Sequence, residues 1–97
     1  MKTDSLVRPP ESRSMKSYRI VLSPGEEVGE HTTKRKEEII IVLKGKATII
    51  RENERFKVKE RELHYIGEGI GHNVKNETNE PLEYVYVVNL LDEFYFQ

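Results

Sequence analysis

The sequence predicts an all-β protein, a sandwich or barrel of short strands, and three observations carry that reading. Runs rich in Val, Ile, Tyr and Phe recur along the chain at about 8–12-residue spacing, with turn residues between them. Several runs alternate apolar and polar side chains, the two-residue period of a half-buried strand. No segment keeps a helical period over three turns.

Taken in order, residues 1–16 are polar, contain Pro9-Pro10 and several serines, and read as a flexible or surface-lying arm outside the core. A single domain is expected over 17–97. Tyr18 to Leu22 is the first strand, stopped by the turn dipeptide Pro24-Gly25. Val28 to His31 follows, then Glu37 to Leu43, rich in β-branched residues and closed at Lys44-Gly45-Lys46. Ala47 to Arg51 runs into a hairpin tip at Glu52-Asn53-Glu54, and Phe56-Lys57-Val58-Lys59 alternates apolar with charged. Leu63 to Ile66 leads into Gly67, Gly69 and Gly71, His72 to Lys75 precedes the polar turn Asn76 to Pro81, and Leu82 to Leu91 is the last strand.

Composition narrows the function. Charged residues make up 34% of the chain, against a usual value of about 25%, yet they balance to a net charge of −1. That excludes the basic face of a nucleic-acid binder. Glutamate and lysine dominate the charge while cysteine and tryptophan are absent, a thermophile-like composition. Without cysteine there are no disulfides and no thiolate ligands. The first six residues lack the apolar core of a signal peptide. The longest apolar run, Ile39 to Leu43, falls far short of the ~20 residues that cross a bilayer. A soluble cytoplasmic protein with no membrane or nucleic-acid partner is the expectation. A domain of 97 residues buries only roughly 60–65% of its unfolded surface, so a metal or a second subunit would add needed stability.

The chemistry concentrates in two segments. Gly25-Glu26-Glu27-Val28-Gly29-Glu30-His31-Thr32-Thr33 runs on through Glu38 to Gly45, and Gly67-Glu68-Gly69-Ile70-Gly71-His72 runs on to Asn76. Residues two apart in a strand share a face. His31 with Thr33, Glu38 with Ile40 and Val42, and His72 with Val74 and Asn76 are therefore expected on common faces. If those faces line one interior, His31, Glu38 and His72 offer two imidazoles and a carboxylate, a donor set suited to Zn, Fe, Mn, Ni or Cu with positions left open. Taken singly, a histidine in a strand is more often an ordinary core or surface residue.

These residues resemble the two motifs of the cupins, small barrels of the double-stranded β-helix or jelly-roll type. The first motif is matched by Gly25, His31, Thr33, Glu38 and Gly45 with every spacing kept. The second is matched by Arg61, Gly67, Gly69, His72 and Asn76, with the opening glycine and the proline replaced. The resemblance covers roughly Tyr18 to Leu91. It implies a jelly-roll barrel and a divalent transition metal (Zn, Mn, Fe or Ni) on His31, Glu38 and His72. A fourth ligand histidine of the family is replaced by Thr33, whose hydroxyl is a poor ligand. The resemblance also implies a small-molecule ligand, with isomerase, dioxygenase, decarboxylase and epimerase chemistry as family options. A non-catalytic binding or regulatory module is the alternative, and a structural remnant with a decayed site a third.

Other residues carry weaker expectations. His64 is placed by strand parity to share the interior with Ile66 and stand in for the missing histidine. Tyr65, Tyr84 and Tyr86 are candidates to line a pocket, and Tyr65, His64 and Glu68 lie nearest the motif as acid–base candidates. Lys34-Arg35-Lys36 could attract an anion at the barrel mouth. Ile39, Ile41 and Leu43 make the outer face of their strand apolar too, and with Phe94, Tyr95 and Phe96 they predict a homodimer.

Overall fold

The computed structural model describes residues 1–91. It contains nine strands among them: β1 (Lys2–Val7), β2 (Met15–Leu22), β3 (His31–Thr32), β4 (Lys36–Lys44), β5 (Ala47–Arg51), β6 (Glu54–Val58), β7 (Leu63–Ile66), β8 (Gly71–Lys75) and β9 (Leu82–Leu90). They form a five-stranded sheet in the order β1-β2-β9-β4-β7 and a four-stranded sheet in the order β3-β8-β5-β6. Every pairing is antiparallel. Two antiparallel sheets with non-sequential strand order make a jelly roll, in which each sheet turns one face inward.

Alternation along the strands fills the interior. Glu38, Ile40 and Val42 of β4 are buried while Ile39 and Ile41 are half-exposed, and Leu82, Tyr84 and Val88 of β9 are buried opposite them. Ile20 and Leu22 of β2, Ile49 of β5 and Val74 of β8 complete the same core. The β5–β6 hairpin closes Arg51 on Glu54 through Glu52 and Asn53, both at positive φ (51° and 67°). That is the primed two-residue turn whose twist matches the flanking strands, at the tip the sequence marks.

Residues 1–16 lie on the surface, outside the core, and hold a strand the sequence does not mark: β1 pairs with β2 from Lys2↔Val21 to Val7↔Ser17, and β2 itself begins at Met15. β1 lies on the surface, with five of its six residues exposed, so it contributes ladder hydrogen bonds and no core side chain. The strand expected over Val28 to His31 is only His31–Thr32, because Gly29 sits at φ +108 and Glu27 makes an isolated bridge to Lys75. Phe94, Tyr95 and Phe96 lie outside the described residues. No helix among the described residues is long and apolar enough to cross a membrane.

Candidate metal centre

Sheet register brings the motif residues together. His31 of β3 lies directly opposite His72 of β8, and cross-strand partners share a face. Their rings meet edge-on with centroids 4.1 Å apart and planes inclined by 61°. Glu38 reaches them from the other sheet, its Oε1 lying 3.7 Å from His72 Nε2. One donor atom from each of His31, Glu38 and His72 lies within 4.8 Å of the others. His72 and Glu38 are buried at 1% and 6% exposure, whereas His31 stands at the rim.

The two rings are aimed in the same way. His31 Nδ1 lies 2.9 Å from the Gly29 carbonyl and His72 Nδ1 lies 3.1 Å from that of Ile70. A ring that donates Nδ1–H to a carbonyl presents a bare Nε2 lone pair, as second-sphere contacts do in metal-ligating histidines. His72 Nε2 is buried and has no hydrogen-bond partner. An orphaned polar atom in a native interior calls for an unseen partner. A divalent cation fits this donor set, since the neighbouring His31 and Glu38 are also of the type it takes. Burial opposes a charge on His72, but the Glu38 carboxylate and the Ile70 carbonyl outweigh it and raise its pKa above the ordinary value. The same pull that favours a proton there favours a metal ion.

The loops that carry the motifs are cross-linked by side chains. Asn73 accepts from Gly29 N–H at 2.8 Å and donates to Glu27 Oε1 at 2.9 Å, so β8 holds the glycine bend before His31. Asn76 donates to the Leu22 and Glu80 carbonyls at 3.0 and 2.7 Å, while its backbone carbonyl accepts from Gly25 N–H. Arg61, standing where the second motif opens with glycine, adopts φ +69 and so keeps the left-handed turn.

Thr33 is a clamp, not a ligand. It is fully buried, its hydroxyl donates to the Gly67 carbonyl and accepts from Ile70 N–H at 3.1 Å, and its backbone carbonyl accepts from Gly69 N–H at 2.9 Å. It ties the glycine turn ahead of His72 to the segment that follows His31. Thr33→Val keeps the shape and strands both backbone groups, so a loss of about 2–3 kcal/mol is expected in urea denaturation. A change below about 0.5 kcal/mol would show that the turn holds without this contact.

Of the other candidates, His64 does face inward, on the rung of Ile40, but it packs against Phe56 with centroids 4.9 Å apart and does not join the ligand cluster. Its Nε2 is also buried without a partner, and burial, Arg51 and His72 lower its pKa. Tyr65 points the opposite way, exposed on the outer face, where its hydroxyl donates to Glu37 at 3.3 Å. Tyr84 and Tyr86 line a cavity of about 260 Å³ together with His31, Glu38 and Lys36. Burial and the negative charge of Glu38 push the Tyr86 phenol up to about 12, and Tyr84 rises in the same direction. His64, Tyr65 and Glu68 do not line that cavity. Two contributors escape sequence reasoning. Asn73 is one. The other is Arg51, which lies opposite His72 and stacks 4.6 Å from the Phe56 ring centre; the alternation after Ile49 is the signal that could have found it.

Two packed antiparallel sheets with a histidine pair and a buried carboxylate brought together between them define a jelly-roll protein with a candidate divalent-metal centre. The chain belongs to the cupin domain family, whose model matches residues 18–88. Among solved structures it is similar to a predicted oxalate decarboxylase from Thermotoga maritima (28% identity, TM-score 0.75), covering 78% of this chain and 66% of that one. It is also similar to the cupin domain of Cnp3 from Schizosaccharomyces pombe (18%, TM-score 0.85), covering 96% of this chain and 66% of that one. A third is the cupin domain of an XRE family transcriptional regulator from Enterobacter cloacae (16%, TM-score 0.84), covering 94% and 97%. The chain thus spans just under two thirds of the length of the first two. No curated protein matches it.

Proposed function

We propose that this cupin binds one divalent transition metal (Zn, Mn, Fe or Ni) through His31, Glu38 and His72 and takes a small molecule into the adjoining cavity. The observation that carries the reading is His72 Nε2, buried, unpartnered and 3.7 Å from Glu38 Oε1. A metal held there supplies Lewis acidity and open coordination positions for a chelating ligand. The chain's own part is to aim the two imidazoles through their Nδ1 contacts, keep the floor apolar with Ile20, Val74 and Val88, and leave Tyr84 and Tyr86 protonated as donors. Chelator-treated protein titrated with each metal tests this. At a free metal concentration 100 times Kd, binding adds about 2.7 kcal/mol, a rise of roughly 10–20 °C in Tm for a domain this size. No rise with any of the four metals would end the proposal.

A non-catalytic binding or regulatory module is the second reading, and two observations favour it. Thr33 is committed to the backbone, and none of the three acid–base candidates reaches the cavity. The relatives span both roles by their names, a predicted decarboxylase and a transcriptional regulator's domain.

The outer face of the five-stranded sheet supports self-association, and the cysteine-free composition a cytoplasmic setting. Ile39 and Ile41 stand there beside Val85 and Val87 of β9, with Leu43, Leu63 and Tyr65 about half exposed. A sheet face this apolar is the kind that an isologous dimer covers. Sedimentation at micromolar concentration should give twice the 11.4 kDa chain mass, and Leu63→Glu should return the monomer. A monomeric parent would contradict this.

A further inference from the structure

The cavity next to the three candidate ligands has a charge pattern of its own. Lys36 lies two residues before Glu38 on β4 and lines the same cavity. Its neighbour Glu37 is engaged on the opposite face by Tyr65. Among the described residues no carboxylate pairs with the Lys36 ammonium. The sole acid on the cavity wall is Glu38, whose charge a bound metal would take up. Tyr84 and Tyr86 add two phenol hydroxyls that no other described residue engages. Tyr86 is held in place by stacking on Tyr18, centroids 5.4 Å apart. Met1 and Thr3 also reach the wall, the Met1 ammonium being paired with Glu26, and the rest is aliphatic: Ile20, Val28, Val74 and Val88.

A cavity offering one ammonium with no carboxylate partner among the described residues, three hydroxyls and a metal, with no carboxylate besides Glu38, suits an oxygen-rich anion carrying a short apolar tail. Its volume of about 260 Å³ holds roughly eight or nine water-sized volumes, which bounds the ligand to about ten non-hydrogen atoms. One ammonium matches the single charge of a carboxylate. A phosphate would call for several donors, such as an arginine fork or a row of backbone N–H groups.

Resting on the metal reading above, we propose that the ligand is a small 2-oxo or 2-hydroxy carboxylate whose adjacent oxygens meet the metal and whose charge is recognised by Lys36. Its tail then lies on the aliphatic wall, and the phenols of Tyr84 and Tyr86 donate to its oxygens. Lys36 is thus a specificity-determining residue, selecting an acid over its neutral analogues.

Calorimetry on Zn²⁺-loaded full-length protein tests this, with 2-oxobutyrate and its methyl ester as probes and Zn²⁺ affinity measured in parallel for every variant. The acid should bind and the ester should bind at least tenfold more weakly. Lys36→Met should weaken the acid about tenfold or more while Zn²⁺ affinity stays equal or rises, and Lys36→Arg should keep most of the binding. Circular dichroism confirms that each variant is folded. Equal binding of acid and ester, or full binding by Lys36→Met, overturns the carboxylate proposal and leaves the metal reading standing. Failure of the parent to take Zn²⁺ or any of the other three metals overturns both.

Discussion

His72→Ala is expected to abolish stoichiometric metal binding while the barrel stays folded. Loss of an outer-sphere partner alone typically costs 10–100-fold in affinity, so removing a ligand that is already buried and oriented should cost more than about 100-fold. On the proposed metal reading His72 would be the decisive ligand, because Glu38 is buried with it whereas His31 stands at the rim, where water can replace it in part. Elemental analysis of parent and variant purified side by side gives the answer. The pH dependence adds a sign. In the metal-free protein the raised pKa of His72 contributes stability that is full below the unfolded value near 6.5 and is lost as pH rises through the folded value. With metal bound the imidazole must be bare, so the metal's contribution grows as pH rises through that range. The Tm difference between loaded and metal-free parent should therefore widen from pH 5 to 8, and His72→Ala should flatten it. His64 acts in the opposite sense: burial, Arg51 and His72 lower its pKa, so its contribution is lost as pH falls. A metal-bound His72→Ala variant with parental affinity would remove His72 from the site.

The second large effect is expected at Gly45, which closes the first motif. Its φ is +88, and a Cβ placed there would lie 2.6 Å from the Pro81 carbonyl oxygen and 3.2 Å from Leu82 Cα. Both are backbone atoms at the start of β9, the strand that pairs with β2 and β4, so nothing flexible can move aside. Gly45→Ala combines left-handed strain with a backbone clash, and a loss of about 3 kcal/mol or more is expected, lowering Tm by roughly 10–20 °C. Gly25 makes the comparison sharp. Its φ is +85 but a Cβ there would meet nothing within 4 Å, so Gly25→Ala should cost only the strain, about 1–2 kcal/mol. Equal losses at the two positions in thermal or urea denaturation would show that the approach of β9 is not what demands glycine.

What the sequence made legible follows from which residues have an inside and an outside. β4 was readable because Glu38, Ile40 and Val42 go in while their neighbours are half-exposed, and that alternation also placed Glu38 in the interior. β6 was readable from the alternation of Phe56 and Val58 with charged residues, and the β5–β6 hairpin from its Glu52-Asn53-Glu54 tip. β1 was not, because hardly any of Lys2–Val7 is covered; backbone pairing alone makes it a strand, and no side-chain period marks it. The grouping of the three candidate ligands was legible through spacing, and the sheet register gives the reason they meet: His31 and His72 sit on one rung. The role of Thr33 was not legible. Its hydroxyl is drawn to Gly67 and Ile70, an encounter between two loops 34 and 37 residues apart in the chain that no local pattern announces. His64 and Tyr65 show the cost of a one-residue step. His64 on the rung of Ile40 faces in, and Tyr65 on the rung of Ile39 faces out.

Anomalous diffraction from crystals grown with Zn²⁺, recorded at the zinc edge, tests the central claim most directly. One peak per chain is expected about 2.0–2.2 Å from His31 Nε2, His72 Nε2 and a Glu38 carboxylate oxygen. No peak in the barrel, or a peak that leaves His72 Nε2 uncoordinated, would contradict it.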